Sequence, residues 1–221
     1  MLRRREFLVS WLASVLIAVA LVVGAPGRAH AGEFEEGAKN FIKAMTEDAI
    51  SMLTVKDIKR FERARRFRTL MNKNFAIKGI AKFVLGRYWR KASEEQQEEY
   101  LRLFEDLMVV TYSNRFEKYS GEKLLIKGAE IRGEKDAIVH TTMVKANNAT
   151  KPLKVAWRVR GKDGTFTIID VIVEGISMIM TQKSEFSSFI KSSGGEFKNL
   201  LAELQKRVDE NNNDKNKTAS N

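Results

Sequence analysis

Asp170 is the residue best placed to do chemistry. It interrupts the run TFTIIDVIV (Thr165 to Val173), where Phe166, Ile168 and Ile172 alternate with Ile169, Val171 and Val173 so that both faces are apolar. A carboxyl in such surroundings either finds a partner or takes a raised pKa that suits proton transfer. Beside Tyr112 or Tyr119 in a cavity it would serve a proton-transfer enzyme of the ketosteroid-isomerase kind. Beside a backbone group, Arg87 or Arg90 it is a structural anchor, and this is the simpler reading. Other catalytic chemistries lack their parts. The chain has no cysteine and two histidines, His30 near the N-terminus and His140 within a predicted strand, so zinc sites, Cys-His pairs and Ser-His-Asp triads are hard to build. No G-x-G-x-x-G and no G-x-x-x-x-G-K-[ST] is present, and no cofactor is implied.

The elements that must position Asp170 follow from periodicity. Ala38, Phe41, Ile42, Met45, Ala49, Met52 and Leu53 recur at helical spacing and predict a first amphipathic helix. A second is expected over about Val55 to Asn74, with Ile58, Phe61, Leu70 and Met71 inward and a solvated basic face of Lys59, Arg60, Arg63, Arg65, Arg66 and Arg68. Phe75 to Leu85 predicts a third helix, closed by Gly86. Ser93 with Gln96 is a capping-box pattern, and the stripe from Leu101 to Tyr119 predicts the longest helix, ending at Gly121.

The period then changes to two. Strands are expected near Lys123 to Ile131, Ala137 to Lys145, Leu153 to Arg160 and Thr165 to Val173, with turns at Gly133 to Asp136, Asn147-Asn148 and Gly161 to Gly164. The fourth strand, apolar on both faces, reads as central, and Glu174-Gly175 as its end. Phe186 to Ile190 and Phe197 to Val208 give two closing helical pieces. The fold class is α+β, with helices packed on one side of a curved antiparallel meander of about four strands.

Residues 1–31 read as an export signal. Arg3-Arg4-Arg5 is a basic start, Leu8 to Val23 an apolar run, and Ala29-His30-Ala31 an A-x-A cleavage site. The run is shorter than the ~18 to 20 residues of a bilayer span. Arg4-Arg5-Glu6-Phe7-Leu8 also fits a twin-arginine signal, which leaves the export route open. The expected organisation is a signal over 1–31, one domain over 32–208 and a disordered polar tail over 209–221. Export without cysteine points to the bacterial periplasm and a core that works without disulfides. The formal charge of +11 falls to +8 without the signal, which removes four arginines and one glutamate. Such a surface is drawn to anionic head groups or acidic protein faces.

Two stretches carry a family resemblance. Phe83 to Ser93, FVLGRYWRKAS, with the helix after it, resembles the L-G-R-Y-[YW]-[KR]-x-[AS]-[TS] helix start of the MlaC/toluene-tolerance family of periplasmic ABC-transporter auxiliary proteins. Asp170 to Lys191, DVIVEGISMIMTQKSEFSSFIK, is similar to that family's D-[VM]-x-x-E-G-[VI]-S-[ML] strand and following helix. The resemblance covers roughly residues 38–206 and implies a carrier, not an enzyme. It would hold phospholipid acyl chains in an apolar cavity between sheet and helices and shuttle lipid between an outer-membrane lipoprotein complex and an inner-membrane ABC transporter complex. Hopanoid-associated relatives leave the lipid class open.

The residues expected to line such a cavity are Phe83, Tyr88, Phe104, Leu107, Met108, Tyr112 and Phe116 from the helices, with Val155, Trp157, Val171, Val173, Ile176 and Met178 from the sheet side. Opposite strand register would put Ile168 and Ile172 in place of Val171 and Val173. Head-group contacts would come from Arg87, Arg90 or Lys91. A binding adaptor with a filled core and no ligand is a further alternative.

Overall fold

A computed structural model describes residues 26–145 and 151–218; the signal segment up to residue 25 and the Asn147-Asn148 turn lie outside the described residues. The chain divides by internal packing into Met1–Phe34 and Glu35–Asn221, and the architecture below belongs to the second unit. Among the described residues there are six α-helices and five strands, ordered α1 (Pro26–Leu53), α2 (Arg60–Asn74), α3 (Ile77–Leu85), α4 (Glu94–Tyr112), β1 (Lys123–Arg132), β2 (Asp136–Val144), β3 (Leu153–Lys162), β4 (Thr165–Val173), β5 (Ile176–Ser177), α5 (Met178–Ser192) and α6 (Phe197–Thr218). The class is α+β, as expected.

The helical starts and stops follow their local chemistry. Gly86 closes α3 with φ 60, a conformation that suits glycine, and leads into a 3-10 turn over Gly86–Lys91. At the start of α4 the Ser93 hydroxyl accepts from the Gln96 N–H while the Gln96 side chain accepts from the Ser93 N–H, the reciprocal box the spacing predicts. That helix does not reach Gly121. It passes at Ser113 into a second 3-10 turn, Ser113–Lys118, so its 19 residues are fewer than the 28 of α1 and 22 of α6.

Helix α2 differs from its expected orientation. Its inward stripe is Arg63, Leu70, Met71 and Asn74, and Phe61, about 200° round the helix from Arg63, is 69% exposed. The basic residues do not form an unpaired solvated face. Arg63 is buried and donates to the Leu53 and Ile58 carbonyls and to Glu117, while Arg66 donates to the Met52 carbonyl, so two arginines satisfy the open C-terminal end of α1. Arg65 and Arg66 also hold Glu62, whose carboxyl falls to about 2, Arg65 contributing most. Arg68 bridges to Glu105 and Asp106 on α4.

The helical core centres on Tyr100. Its ring lies 5.9 Å from Phe104, 6.3 Å from Phe186 and 5.9 Å from Phe197 by centroid, and its hydroxyl donates to the Ala81 carbonyl at 3.0 Å. Burial pushes its phenol upward. Leu103, Ile190, Leu200 and Leu204 close the cluster. Helix α6 continues to Thr218, through residues expected to be disordered. Val208 is buried, Asn211 donates to the Arg207 carbonyl, and Arg60 donates to the Asn211 and Asn212 carbonyls, so the polar composition after Asp209 understates the support available.

The sheet is an antiparallel meander in the order β1-β2-β3-β4-β5. Two turns are set by consecutive positive-φ residues, Asp163-Gly164 before β4 and Glu174-Gly175 between β4 and the two-residue β5. Strand β4 is therefore not central. It pairs with β3 along its length and with β5 only at Ile172 and Val173, and the remaining edge is met by the α2–α3 connection, where Phe75 bridges Ile168 and the Ala76 N–H donates to the Ile168 carbonyl. Cover by helices and a short edge strand explains why an apolar strand can lie so close to the margin. Register shifts at Ile126/Gly128 and beside Ile169 add local twist to the unclosed, curved sheet.

Candidate functional site

Pairing register assigns the sheet faces. Val155 stands opposite Val173, Trp157 opposite Val171 and Val159 opposite Ile168, with Ile169 passed over by the shift. On the other side of β3 the same residues face Thr141, Val139 and Ala137 of β2, and Ile126 and Leu124 of β1 continue the row. Residues directly opposite share a face, so Ile168, Val171 and Val173 lie together and Ile172, opposite Ala156, lies on the other side. Strict alternation offered Val171 and Val173 or Ile168 and Ile172 as sets. The extra residue at Ile169 breaks that choice and puts Ile168 with both valines, leaving Ile172 on the opposite face.

This face is the inner one. Val139, Val159, Ile168 and Ala137 are fully buried, Trp157, Val171 and Val173 are half-buried, and Phe166 stacks on Phe41 of α1 at 6.1 Å between ring centroids. Gly37 is required beneath that ring, because a Cβ there would stand 2.9 Å from Phe166. Trp157 donates through Nε1 to the Thr141 hydroxyl at 3.1 Å, and Thr141 donates to the Val155 carbonyl at 2.7 Å, so the polar atoms on this face are paired among themselves. The opposite face is polar. Asp136 accepts from Arg158 and Arg160, and His140 lies 3.2 Å from Glu130. A depression of about 390 Å³ on that side runs over Ile138, His140, Ala156 and Ile172 between Lys127 and Lys154.

The helical layer meets the sheet along β4. Asp170 makes the joint. Its Oδ2 accepts from the Ser177 hydroxyl at 2.7 Å and its Oδ1 from the Ile179 N–H at 3.3 Å, while Ser177 in turn accepts from the Met180 N–H as the cap of α5. A strand carboxylate thus satisfies the first turn of a helix and sits at its positive end. Among the described residues Asp170 does not hydrogen-bond to Arg87, Arg90, Tyr112 or Tyr119: Tyr119 donates to the Glu122 carbonyl and Tyr112 lies under Arg115. With both oxygens occupied, Asp170 is the anchor that the simpler reading expected.

The expected lining residues separate into three groups. Val155, Trp157, Val171 and Val173 share the inner sheet face, and Ile176, paired with Val173, stands at its rim 59% exposed. Tyr88, Phe104 and Leu107 lie in the helical cluster with Met108 packed against it, and Phe116 touches Phe67 at 6.0 Å between ring centroids. Phe83 is 44% exposed beneath Lys183, Tyr112 is exposed, and Met178 is half-buried at the start of α5. Leu124, Ile126 and Thr141 are inner-face residues that the sequence reading passed over, although their period-two spacing was visible. The hydrophobic cluster built around Tyr100 contains helical and 3-10 side chains only; Val139, Val155, Val159 and Ile168 of the sheet are buried outside it. Buried Ala38, Ile42, Met45 and Leu53 of α1 and Leu70 of α2 also lie outside that cluster, and Phe75, packed against it, bridges Ile168 of β4.

A family model described as "MlaC protein" matches residues 43–206. The chain belongs to the MlaC family. A relative in Haemophilus influenzae, the "Intermembrane phospholipid transport system binding protein MlaC", is 30% identical over 98 residues, which are 43% of this chain and 46% of that protein. The chain thus spans less than half the length of that relative. A phospholipid-binding protein from Ralstonia solanacearum, solved in complex with a phospholipid, shares the fold with a TM-score of 0.67 and 20% identity over 78% of this chain and 97% of its own. The MlaC-family match takes in α2 to α5 whole, the C-terminal part of α1 and the start of α6, so both the Asp170 joint and the inner sheet face lie within it.

Proposed function

We propose that this chain is a non-enzymatic periplasmic lipid carrier that holds a phospholipid by its acyl chains between the helical layer and the inner sheet face. The lipid would pass between an outer-membrane lipoprotein complex and an inner-membrane ABC transporter complex, with transient contact at the membrane surface. The observation that carries the reading is an inner sheet face whose apolar side chains are only partly covered by protein. Half-buried Trp157, Val171 and Val173 face inward without joining the cluster around Tyr100, which is the arrangement expected where apolar side chains await an apolar ligand. Each methylene withdrawn from water contributes ~0.8 kcal/mol, so parts of two acyl chains supply the binding without specific polar chemistry. Family membership supports the same reading, as do the two relatives, one a phospholipid transport binding protein and the other solved with a phospholipid.

The test is mass spectrometry of lipid extracted from the purified protein, together with loading from phospholipid vesicles. Stoichiometric phospholipid is expected. A protein that carries none and accepts none from vesicles is not a carrier.

A further inference from the structure

A second cavity, of about 350 Å³, lies where the end of α3, the Gly86–Lys91 turn and α5 meet. Its lining includes three cations, Arg87, Lys183 and Lys191, and two hydroxyls, those of Tyr88 and Ser187, but no carboxylate. Lys183, Ser187 and Lys191 are spaced four apart and so share one face of α5. Among the described residues no ion pair involves Arg87, Lys183 or Lys191, whereas Arg63, Arg65, Arg66 and Arg68 of α2 are all matched to acids. Like charges gathered around one hollow without a counter-charge repel, and an anion placed among them relieves that repulsion.

The groups converge on the Tyr88 hydroxyl. Arg87 donates to it at 3.2 Å and lies 5.1 Å above its ring centroid. The Arg87 hydrogen bond lowers the phenol from its ordinary value against the opposing effect of burial, with smaller contributions from the Ser187 hydroxyl and the Lys191 charge, both of which line the same cavity. Gly86 faces the Lys183 side chain of α5. Its φ of 60 favours glycine, and a Cβ there would stand 3.3 Å from Cε of Lys183. The Lys183 ammonium is held 4.1 Å from the Phe83 ring centroid at the mouth of the hollow.

We propose that this pocket binds a phosphate-class oxyanion, a phosphate monoester or diester, through Arg87, Lys183 and Lys191, with Tyr88 and Ser187 supplying hydroxyl contacts. Guanidinium and ammonium donors with adjacent hydroxyls match the charge and the several acceptor oxygens of a phosphoryl group. The phosphate has two possible sources, a lipid head group at a bilayer surface and free phosphate. Phe83 and Met180, 44% and 53% exposed, put apolar side chains on the same two helices, as suits a basic site resting on an anionic bilayer. This site does not depend on acyl-chain binding at the sheet, and the measurements below read it separately from lipid extraction.

The experiment compares the purified chain with a Lys183→Gln/Lys191→Gln variant and with Lys162→Gln, a cation in the β3–β4 hairpin, as control. Inorganic phosphate is titrated at constant ionic strength against chloride, following the amide resonances of Gly86 and Ser187. Flotation is measured with vesicles of phosphatidylcholine alone and of an equimolar phosphatidylcholine and phosphatidylglycerol mixture. Unchanged melting temperatures verify that the variants fold. The expected result is a saturable shift at Gly86 and Ser187 with phosphate, weakened about tenfold or more in the double variant and unaltered in Lys162→Gln. If binding to the mixed vesicles is also lost in the double variant alone, the source is a lipid head group; phosphate binding with no vesicle binding assigns free phosphate. Site-specific loss of vesicle binding without a response to inorganic phosphate also supports the pocket, with the diester as its ligand. The proposal is overturned if phosphate and vesicle binding are both absent, if the double variant retains them, or if Lys162→Gln weakens them equally.

Discussion

Val173→Trp tests the assignment of the inner sheet face. Val173 is half-buried, pairs with Val155 across β3 and with Ile176 across β5, and so points to the same side as Trp157 and Val171. An indole adds about seven heavy atoms to what an isopropyl group occupies; if these displace three or four methylenes of an acyl chain at ~0.8 kcal/mol each, binding weakens by about 2.5–3 kcal/mol, or roughly a hundredfold. The fold should bear the change, because a residue beside ligand space has room that a packed core does not. Bound lipid is counted by mass spectrometry after extraction, exchange is followed from labelled vesicles, and the melting temperature is recorded alongside. Were the interior at Val173 filled by protein, the same substitution would instead cost about 1–3 kcal/mol of stability through overpacking and leave lipid loading unchanged. That second pattern, or full loading with no change in stability, refutes the assignment.

Three further outcomes follow from named contacts. Asp170→Ala removes the acceptor for the Ser177 hydroxyl and Ile179 N–H at the start of α5 and should cost about 2–4 kcal/mol in urea denaturation; a loss below about 0.5 kcal/mol would show that the joint is not held there. Asp136 is buried between half-exposed Arg160 and Arg158, and Arg160 contributes most to holding its carboxyl below the ordinary 3.8 against the effect of burial. A depressed carboxyl stabilises the fold above its unfolded value and loses that contribution as pH falls through its folded one, so Asp136→Asn should cost about 1–3 kcal/mol at neutral pH and flatten the stability profile below about pH 4, and an unaltered acid profile would count against the pair. Ser93→Ala breaks the capping box of α4 and should lower stability by about 1 kcal/mol, which a melting curve with Gln96→Ala alongside can check.

The parts of the fold legible in the chain are those governed by neighbours in sequence. Ser93 and Gln96 start a helix wherever they stand, Gly86 ends one, and Asp163-Gly164 turns a hairpin. What was not legible depends on contacts across the fold. Six basic residues in α2 read as a solvated face because an arginine's partners cannot be seen from its own helix; here they are the carbonyls ending α1 and acids on α4 and the second 3-10 turn. Apolar residues on both faces of β4 were taken for a central position, although cover by Phe75, Ala76 and β5 gives the same composition near a margin. Val155, Trp157, Val171 and Val173, expected on the sheet side of the cavity, share one face. Ile168 joined them only because of the shift at Ile169, which no alternation rule reveals.

A carrier of the proposed kind must remain folded when its ligand leaves. If acyl chains completed the main core, releasing them would expose apolar surface throughout the molecule and the empty carrier would unfold. Here the buried side chains of the aromatic cluster around Tyr100 come from α2 to α6 and the first 3-10 turn. The sheet is secured by its own ladder, by Thr141 and Trp157 on its inner face and by Asp136 with its two arginines on the other. The two parts join at β4, through Ile168 to Ala76 and through Asp170 to the start of α5. Stability thus resides in each layer and along one edge, and a carrier of the kind proposed would exchange protein contacts on the remaining inner face for lipid. On that proposal Asp170 serves as a structural anchor that keeps the helical layer and the sheet together along one side.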